Sequence, residues 1–89
     1  MDTLPSRVRH ARGVAGISQR ELDRLAGLCQ GHTRRIESER GANITVDTAR
    51  ALARVLGVPL GWIVDGGVVP LDRCIRAAVE AARSVTEIT

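Results

Sequence analysis

The side chains able to do acid–base, nucleophilic or metal chemistry are few and scattered. The chain has ten carboxylates, two histidines (His10 and His32) and two cysteines (Cys29 and Cys74) in 89 residues. Catalysis needs an activated nucleophile or an acid–base pair converging in a cleft, and no spacing here provides one. The cysteines lack zinc-site spacing, and His32 has only His10 as a potential co-ligand. The sequence therefore implies no enzyme, no metal and no cofactor. A second kind of chemistry is better represented. Side-chain amides and guanidinium groups present paired donors and acceptors to base edges and phosphates. Gln19, Arg20, Gln30, Arg34 and Arg35 concentrate such groups in one short stretch.

All thirteen basic residues are arginine, a usage that bidentate recognition favours and that a GC-rich coding sequence also produces. Their placement is more informative than their number. Residues 7 to 40 carry eight arginines against Glu21, Asp23, Glu37 and Glu39, a balance of +4, whereas the segment from 65 onward has a balance of −1. Positive charge is thus placed with the amides, as nucleic-acid binding requires.

The elements that must position these groups are legible in Ser18 to Glu37. Ser18 and Glu21 form a capping box, flanked by Ile17 and Leu22 at staple spacing. Leu22, Leu25 and Ala26 make an apolar stripe, and Gly27 suits a helix C-terminus. Leu28 and Cys29 cross a turn, with Cys29 at the N-cap of a second helix that runs from Gln30 to about residue 38 with Ile36 inward. Two short helices joined by a glycine-bearing turn make a helix-turn-helix.

This stretch resembles the phage-repressor (Cro/repressor, or Xre) helix-turn-helix family. The matching positions are Gln19 opening helix 2, Leu22, Gly27-Leu28 in the turn and Ile36-Glu37 ending helix 3. Arg50 to Gly66 is similar to the family's closing two helices, so the resemblance covers roughly residues 4 to 66. It implies an all-α, five-helix lambda-repressor-like DNA-binding domain over 1–66, with its helix-turn-helix at helices 2 and 3. Residues 67–89 add a connector and a C-terminal amphipathic helix.

The resemblance also implies site residues. Helix 3 would lie in the major groove, with Gln30 leading the base contacts, Arg35 further along the same face, and Gly31 where repressors often carry a second reading side chain. Gln19, Arg20, His32, Arg34, Ser38, Arg40 and Asn43 would contact phosphate, and the loop from Arg40 to Asn43 also resembles that of restriction–modification controller proteins. Arg12 and Glu37 match a family ion pair between helix 1 and the end of helix 3. Two positions depart from the pattern. Asp23 stands where the family has a small Ala, and Thr33 where it has a buried Ile or Val. A buried unpaired carboxylate is costly, so Asp23 is expected to accept hydrogen bonds from Thr33 Oγ1 or from amides opening helix 3.

Around the motif, helix 1 is expected from Pro5 to Ala15, helix 4 after Thr45 with Val46, Ala49, Leu52, Ala53 and Leu56 inward, and helix 5 from Pro59 to Val64. A Val68–Pro70 extended connector leads to helix 6 from Leu71 to about Thr86. Its stripe of Leu71, Ile75, Ala78, Ala82 and Val85 opposes Arg73, Arg76, Glu80, Arg83 and Glu87. Arg76–Glu80 and Arg83–Glu87 are spaced as i,i+4 pairs. One recognition helix reads few base pairs, so a homodimer is expected, with Trp62, Leu71, Ile75, Ala78, Val79 and Ala82 as its interface. The other possibility is that helix 6 folds back onto helices 1 and 5. The functional expectation is a sequence-specific transcriptional regulator, a repressor binding double-stranded DNA. An alternative is an antitoxin or interaction module of the same fold whose last helix binds a partner protein. No signal peptide, membrane span or lipidation signature is recognised, so a cytoplasmic location with reduced cysteines is expected.

Overall fold

The computed structural model describes residues 3–38, 44–67 and 70–88, with side chains to Val85. Among them are six helices and no strand: α1 Leu4–Ala15, α2 Gln19–Ala26, α3 His32–Ser38, α4 Val46–Leu56, α5 Leu60–Asp65 and α6 Asp72–Ile88. Arg40 to Asn43 and the Val68-Val69 part of the connector lie outside the described residues.

Local chemistry starts and stops these helices. Thr3, Ser18 and Thr45 accept hydrogen bonds from the amides of Ser6, Glu21 and Thr48, each cap contributing about 1 kcal/mol. α4 ends at Gly57 in the left-handed conformation (φ 66°), and the following Val58 amide returns to the Ala53 carbonyl at 3.1 Å. α5 has no such ending. Gly66 sits at φ 85°, ψ −149° with no basic residue in the last turn. Arg7 reaches across from α1 instead, donating from Nε and Nη2 to the Ile63 carbonyl (3.1 and 3.0 Å) and from Nη2 to that of Val64 (2.9 Å). A cation at these carbonyls also meets the negative end of the helix dipole.

The core is aliphatic, centred on Val8, Leu22, Leu52, Leu56, Ile63, Ile75 and Val79. α6 folds back along α1 and α4 and touches α2, which fulfils the folded-back arrangement with a different set of neighbours from helices 1 and 5. Ile75 and Val79 are completely or almost completely buried within the chain, and Trp62 is buried with its ring in a T-shaped arrangement with that of His10. Those three are therefore core residues and not exposed interface positions, as the dimer expectation had them. Conversely, Val46, expected to point inward, is 60% exposed, and Leu71 and Val85 of the helix 6 stripe are 57% and 66% exposed. Leu71 precedes the first turn of α6 and Val46 opens α4, so neither has a helix packed over it.

The charges of α6 are used across the fold and not along the helix. Arg83 Nε and Nη2 donate to the two carboxylate oxygens of Glu21 at 2.7 Å each, and Arg76 Nε donates to the Val14 carbonyl at 3.2 Å. No Arg76–Glu80 ion pair forms among the described residues, and the Glu87 side chain lies outside them. The fork from Arg83 ties the tail helix to α2 and holds the Glu21 carboxyl below its ordinary pKa, the Arg83 hydrogen bond being the largest cause. A carboxyl with a depressed folded-state pKa adds stability above its unfolded pKa and loses it as the pH falls through the folded value. Urea midpoints of wild type and Arg83→Met should therefore differ at pH 7 and converge toward pH 3. A difference that does not change with pH would deny the ion pair its role.

Gly57 supplies a second check. A Cβ at this position would collide with the Cβ of Ala78 on α6, whereas one at Gly16 (φ 70°) would meet nothing within 4 Å. Left-handed strain alone costs about 1–2 kcal/mol per non-glycine residue, and overpacking adds about 1–3 kcal/mol. Gly57→Ala is therefore expected to destabilise clearly more than Gly16→Ala in denaturant titrations. Equal losses would mean that α6 does not approach α4 this closely.

Candidate nucleic-acid interface

α3 is seven residues long, too short to persist by its own hydrogen bonds, so its neighbours must hold it. Thr33, Ile36 and Glu37 are its buried residues, one side of the helix. Ile36 enters the aliphatic core. The polar pair, Thr33 and Glu37, engages carboxylate chemistry at opposite ends.

At the N-terminal end the group is Asp23, 3% exposed on α2. Its Oδ2 accepts from the Gly31 amide at 2.9 Å, and its Oδ1 accepts from the Thr33 amide at 2.8 Å and Thr33 Oγ1 at 2.6 Å. A carboxylate from a neighbouring helix thus caps α3, satisfying amides that would otherwise be orphaned and lying at the positive end of the dipole. Both family departures are explained together, as expected for Asp23. The Asp23 carbonyl also accepts from the Leu28 amide at 2.8 Å, fixing the turn itself.

At the C-terminal end Glu37 gathers donors from three side chains on two helices, α1 and α2. Arg12 Nε and Nη2 donate to its two carboxylate oxygens at 2.8 and 3.0 Å. Gln19 Nε2 donates to Oε1 at 3.1 Å, and Arg9 Nη2 donates to the Glu37 backbone carbonyl at 3.0 Å. The Arg12–Glu37 pair implied by the resemblance is therefore present. With its side chain only 2% exposed, Glu37 without Arg12 would leave a poorly compensated buried charge, a loss of about 3–5 kcal/mol.

The start of α3 differs from expectation. The helix opens at His32, and Gln30 and Gly31 belong to the turn before it. Gly31 adopts φ 87° with no atom near an added Cβ, so backbone conformation and not lack of space is what suits this position to glycine. Cys29 is consequently not the N-cap. Its carbonyl accepts from the His32 amide at 3.1 Å, and Asp23 does the side-chain capping.

The outward surface carries Gln30, Gly31, Arg34, Arg35 and Ser38, all exposed, with Arg20 exposed near the start of α2 and His32 half-buried. Ser38 Oγ donates to the Arg35 carbonyl at 3.1 Å. Gln19 is half-buried with an amide donor committed to Glu37, so its main visible role is to brace α3. Arg40 and Asn43 lie outside the described residues. The positive surface is also narrower than the arginine tally suggests, because Arg7 is buried and Arg12 is neutralised by Glu37. The exposed cations of the two motif helices are Arg20, Arg24, Arg34 and Arg35, with Arg24 3.7 Å from Glu21. Sequence reasoning missed Arg7 altogether. The available signal was α5, whose last turn lacks a basic residue.

A helix-turn-helix family model matches residues 8–63, the span that contains both carboxylate clamps and the exposed face of α3. The chain belongs to the Xre-like helix-turn-helix family. No curated protein and no solved structure matches it in the corresponding comparisons. Membership makes this a DNA-binding helix-turn-helix domain and agrees with the all-helical fold. No helix among the described residues is long and apolar enough to cross a membrane.

The Asp23 clamp makes a direct prediction. Asp23→Ala would leave the Thr33 hydroxyl and two amides without their acceptor, and unsatisfied buried groups cost about 1–3 kcal/mol each. Chemical denaturation should show a loss of at least about 2 kcal/mol, with the turn amides of Gly31 and Thr33 losing protection from hydrogen exchange. A variant as stable as wild type would remove Asp23 from the support of α3.

Proposed function

We propose that the protein is a homodimeric, sequence-specific transcriptional repressor that acts in the cytoplasm and reads the DNA major groove with α3 and the turn before it. The observation that carries this reading is the outward face of the motif. Gln30, on the turn before α3, and Arg34 and Arg35, on α3, are exposed on an element whose inward face is fixed at both ends by buried carboxylates. A rigid support matters because base readout depends on bidentate geometry. Gln30 suits adenine N6 and N7, and Arg35 suits guanine O6 and N7. Arg20, Arg34, His32 and Ser38 fit phosphate contacts, which set register and carry no sequence information. Gly31 contributes no side chain and lets the backbone turn into α3. Arg40 and Asn43 remain phosphate candidates from their sequence positions alone.

Fluorescence anisotropy across a salt series tests the assignment, using duplex from the region upstream of the protein's own gene and a scrambled duplex. Wild type should prefer the former by about 10³-fold or more. Gln30→Ala and Arg35→Ala should each lose about 1–3 kcal/mol on the specific duplex only. Arg34→Ala should weaken both duplexes alike and reduce the salt slope by about one. Equal affinity for the two duplexes, with no effect of Gln30→Ala or Arg35→Ala, would leave only phosphate attraction.

A further inference from the structure

α2, α4 and α6 meet around an open groove of about 450 Å³. α2 contributes Leu25, α4 contributes Val55, and α6 contributes Ala78, Ala81, Ala82 and Val85. The folded-back tail helix therefore makes the groove, and it does so beyond residue 63, where the family match ends. Every one of these six side chains is aliphatic. The only other lining residue is Arg54 of α4. Its side chain is exposed, and among the described residues it has no hydrogen bond and no ion pair. Arg76 and Arg83 of the tail helix, by contrast, are both engaged within the fold.

We propose that this groove binds a straight-chain aliphatic carboxylate, with its head on Arg54 and its chain lying along α6. The volume is that of a small-molecule site, and so is the composition, an apolar lining with one placed polar group. The lining also excludes other ligand classes. It has no hydroxyl, amide or carboxylate, so a sugar or nucleotide would lose water from polar groups and gain no partner for them. It has no aromatic ring on which a flat ligand could stack. A ligand cation would meet only Arg54, a like charge. One guanidinium offers two parallel donors, which match a single carboxylate head.

The remainder of the ligand is set by the wall of α6. Ala78, Ala81, Ala82 and Val85 form one row at helical spacing, and from the first to the last the axis rises about 10 Å. That is the length of an extended octanoate chain. Three alanines leave the row low enough for a chain to lie on it, and Leu25 and Val55 face it from the other two helices. A docked partner helix is about 10 Å across and would overhang a groove of this volume, leaving much of its own apolar stripe in water. No residue of α3 lines the groove, so the site is separate from the proposed DNA-reading face.

Titration of the isotope-labelled full chain with octanoate, followed by amide NMR shifts, tests this. The amides of Leu25, Val55, Ala82 and Val85 should move along one saturating isotherm. Hexanoate should bind about 4- to 16-fold more weakly, its two missing methylenes being worth up to about fourfold each. Arg54→Met should weaken octanoate by about 2- to 5-fold and leave octanol unaffected. Ala81→Glu, at an exposed position, should abolish octanoate binding with far-UV circular dichroism unchanged. The proposal is overturned by the absence of a saturable shift, by shifts that map elsewhere, or by full octanoate affinity in Arg54→Met or Ala81→Glu. A designed acidic amphipathic helix that shifts these amides where octanoate does not would overturn it as well, and would give the groove to a protein partner.

Discussion

The structure depends on how a seven-residue helix is held when neither its length nor its outward face can stabilise it. α3 offers the core only Ile36 as an apolar anchor among its buried residues, flanked by Thr33 and Glu37. The rest of its support is directional hydrogen bonding to carboxylates. Asp23 occupies the positive end of the helix, and Arg9 and Arg12 approach the negative end, so both ends are also favourable to the dipole. Buried charge is a poor source of net stability, because desolvation offsets most of the attraction. What it supplies is a strong penalty for misplacement. If α3 slides or rotates, a carboxylate loses donors in a place where water cannot replace them. An apolar contact at the same positions would lose little on a small rotation. Positional definition is the property that base recognition demands.

The frame behind α3 is set by the same economy of material. With one tryptophan and no phenylalanine or tyrosine, the core is made of aliphatic side chains, each burying modest area. α6 compensates by completing it, with Ile75 and Val79 inserted among α1 and α4. Ala78 sits directly over Gly57, so the helices approach to a distance that only small residues permit. The Glu21–Arg83 fork then joins the far end of α6 to the first helix of the motif. The tail is thus part of the folded unit that carries α3, although the family match ends at residue 63.

Much of this was legible because it is local. Ser18 with Glu21, Thr45 and the glycines after α1, α2 and α4 act within four residues of themselves, and their hydrogen bonds follow from backbone geometry alone. The ordered motif from Gln19 to Glu37 identified the fold and the Arg12–Glu37 pair. What escaped were partnerships across the chain. Arg7 and Ile63 are 56 residues apart, and Arg83 and Glu21 are 62 apart. At such separations charge spacing along one helix misleads, since a bidentate, half-buried partner outcompetes an exposed i,i+4 neighbour worth about 0.2–0.5 kcal/mol. Helix 6 was misjudged for a related reason. Its apolar residues wrap around more than half of the helix, so periodicity showed an apolar stripe without showing which half of it faces the core.

The start of α3 joins these themes. Reading glycine at position 31 as a helical residue implies a cost of about 1 kcal/mol with no return. In the structure the residue is outside the helix at positive φ, and its amide donates to Asp23. The three unusual residues then form one device. Gly31 makes the turn conformation accessible, Asp23 binds the amides that the turn directs inward, and Thr33 fills the space beside Asp23 with a hydroxyl that it needs. Replacing any one with the residue usual in the family would disturb the other two. An alanine at 23 would strand Thr33, an isoleucine at 33 would take a hydrogen bond from a buried carboxylate, and a side chain at 31 would strain the turn that presents Gln30. The departures from the family pattern therefore amount to a coherent alternative to the usual apolar contact between the two helices. It trades hydrophobic area for hydrogen bonds, and it brings Gln30 forward from the first turn of a helix onto the turn that precedes it.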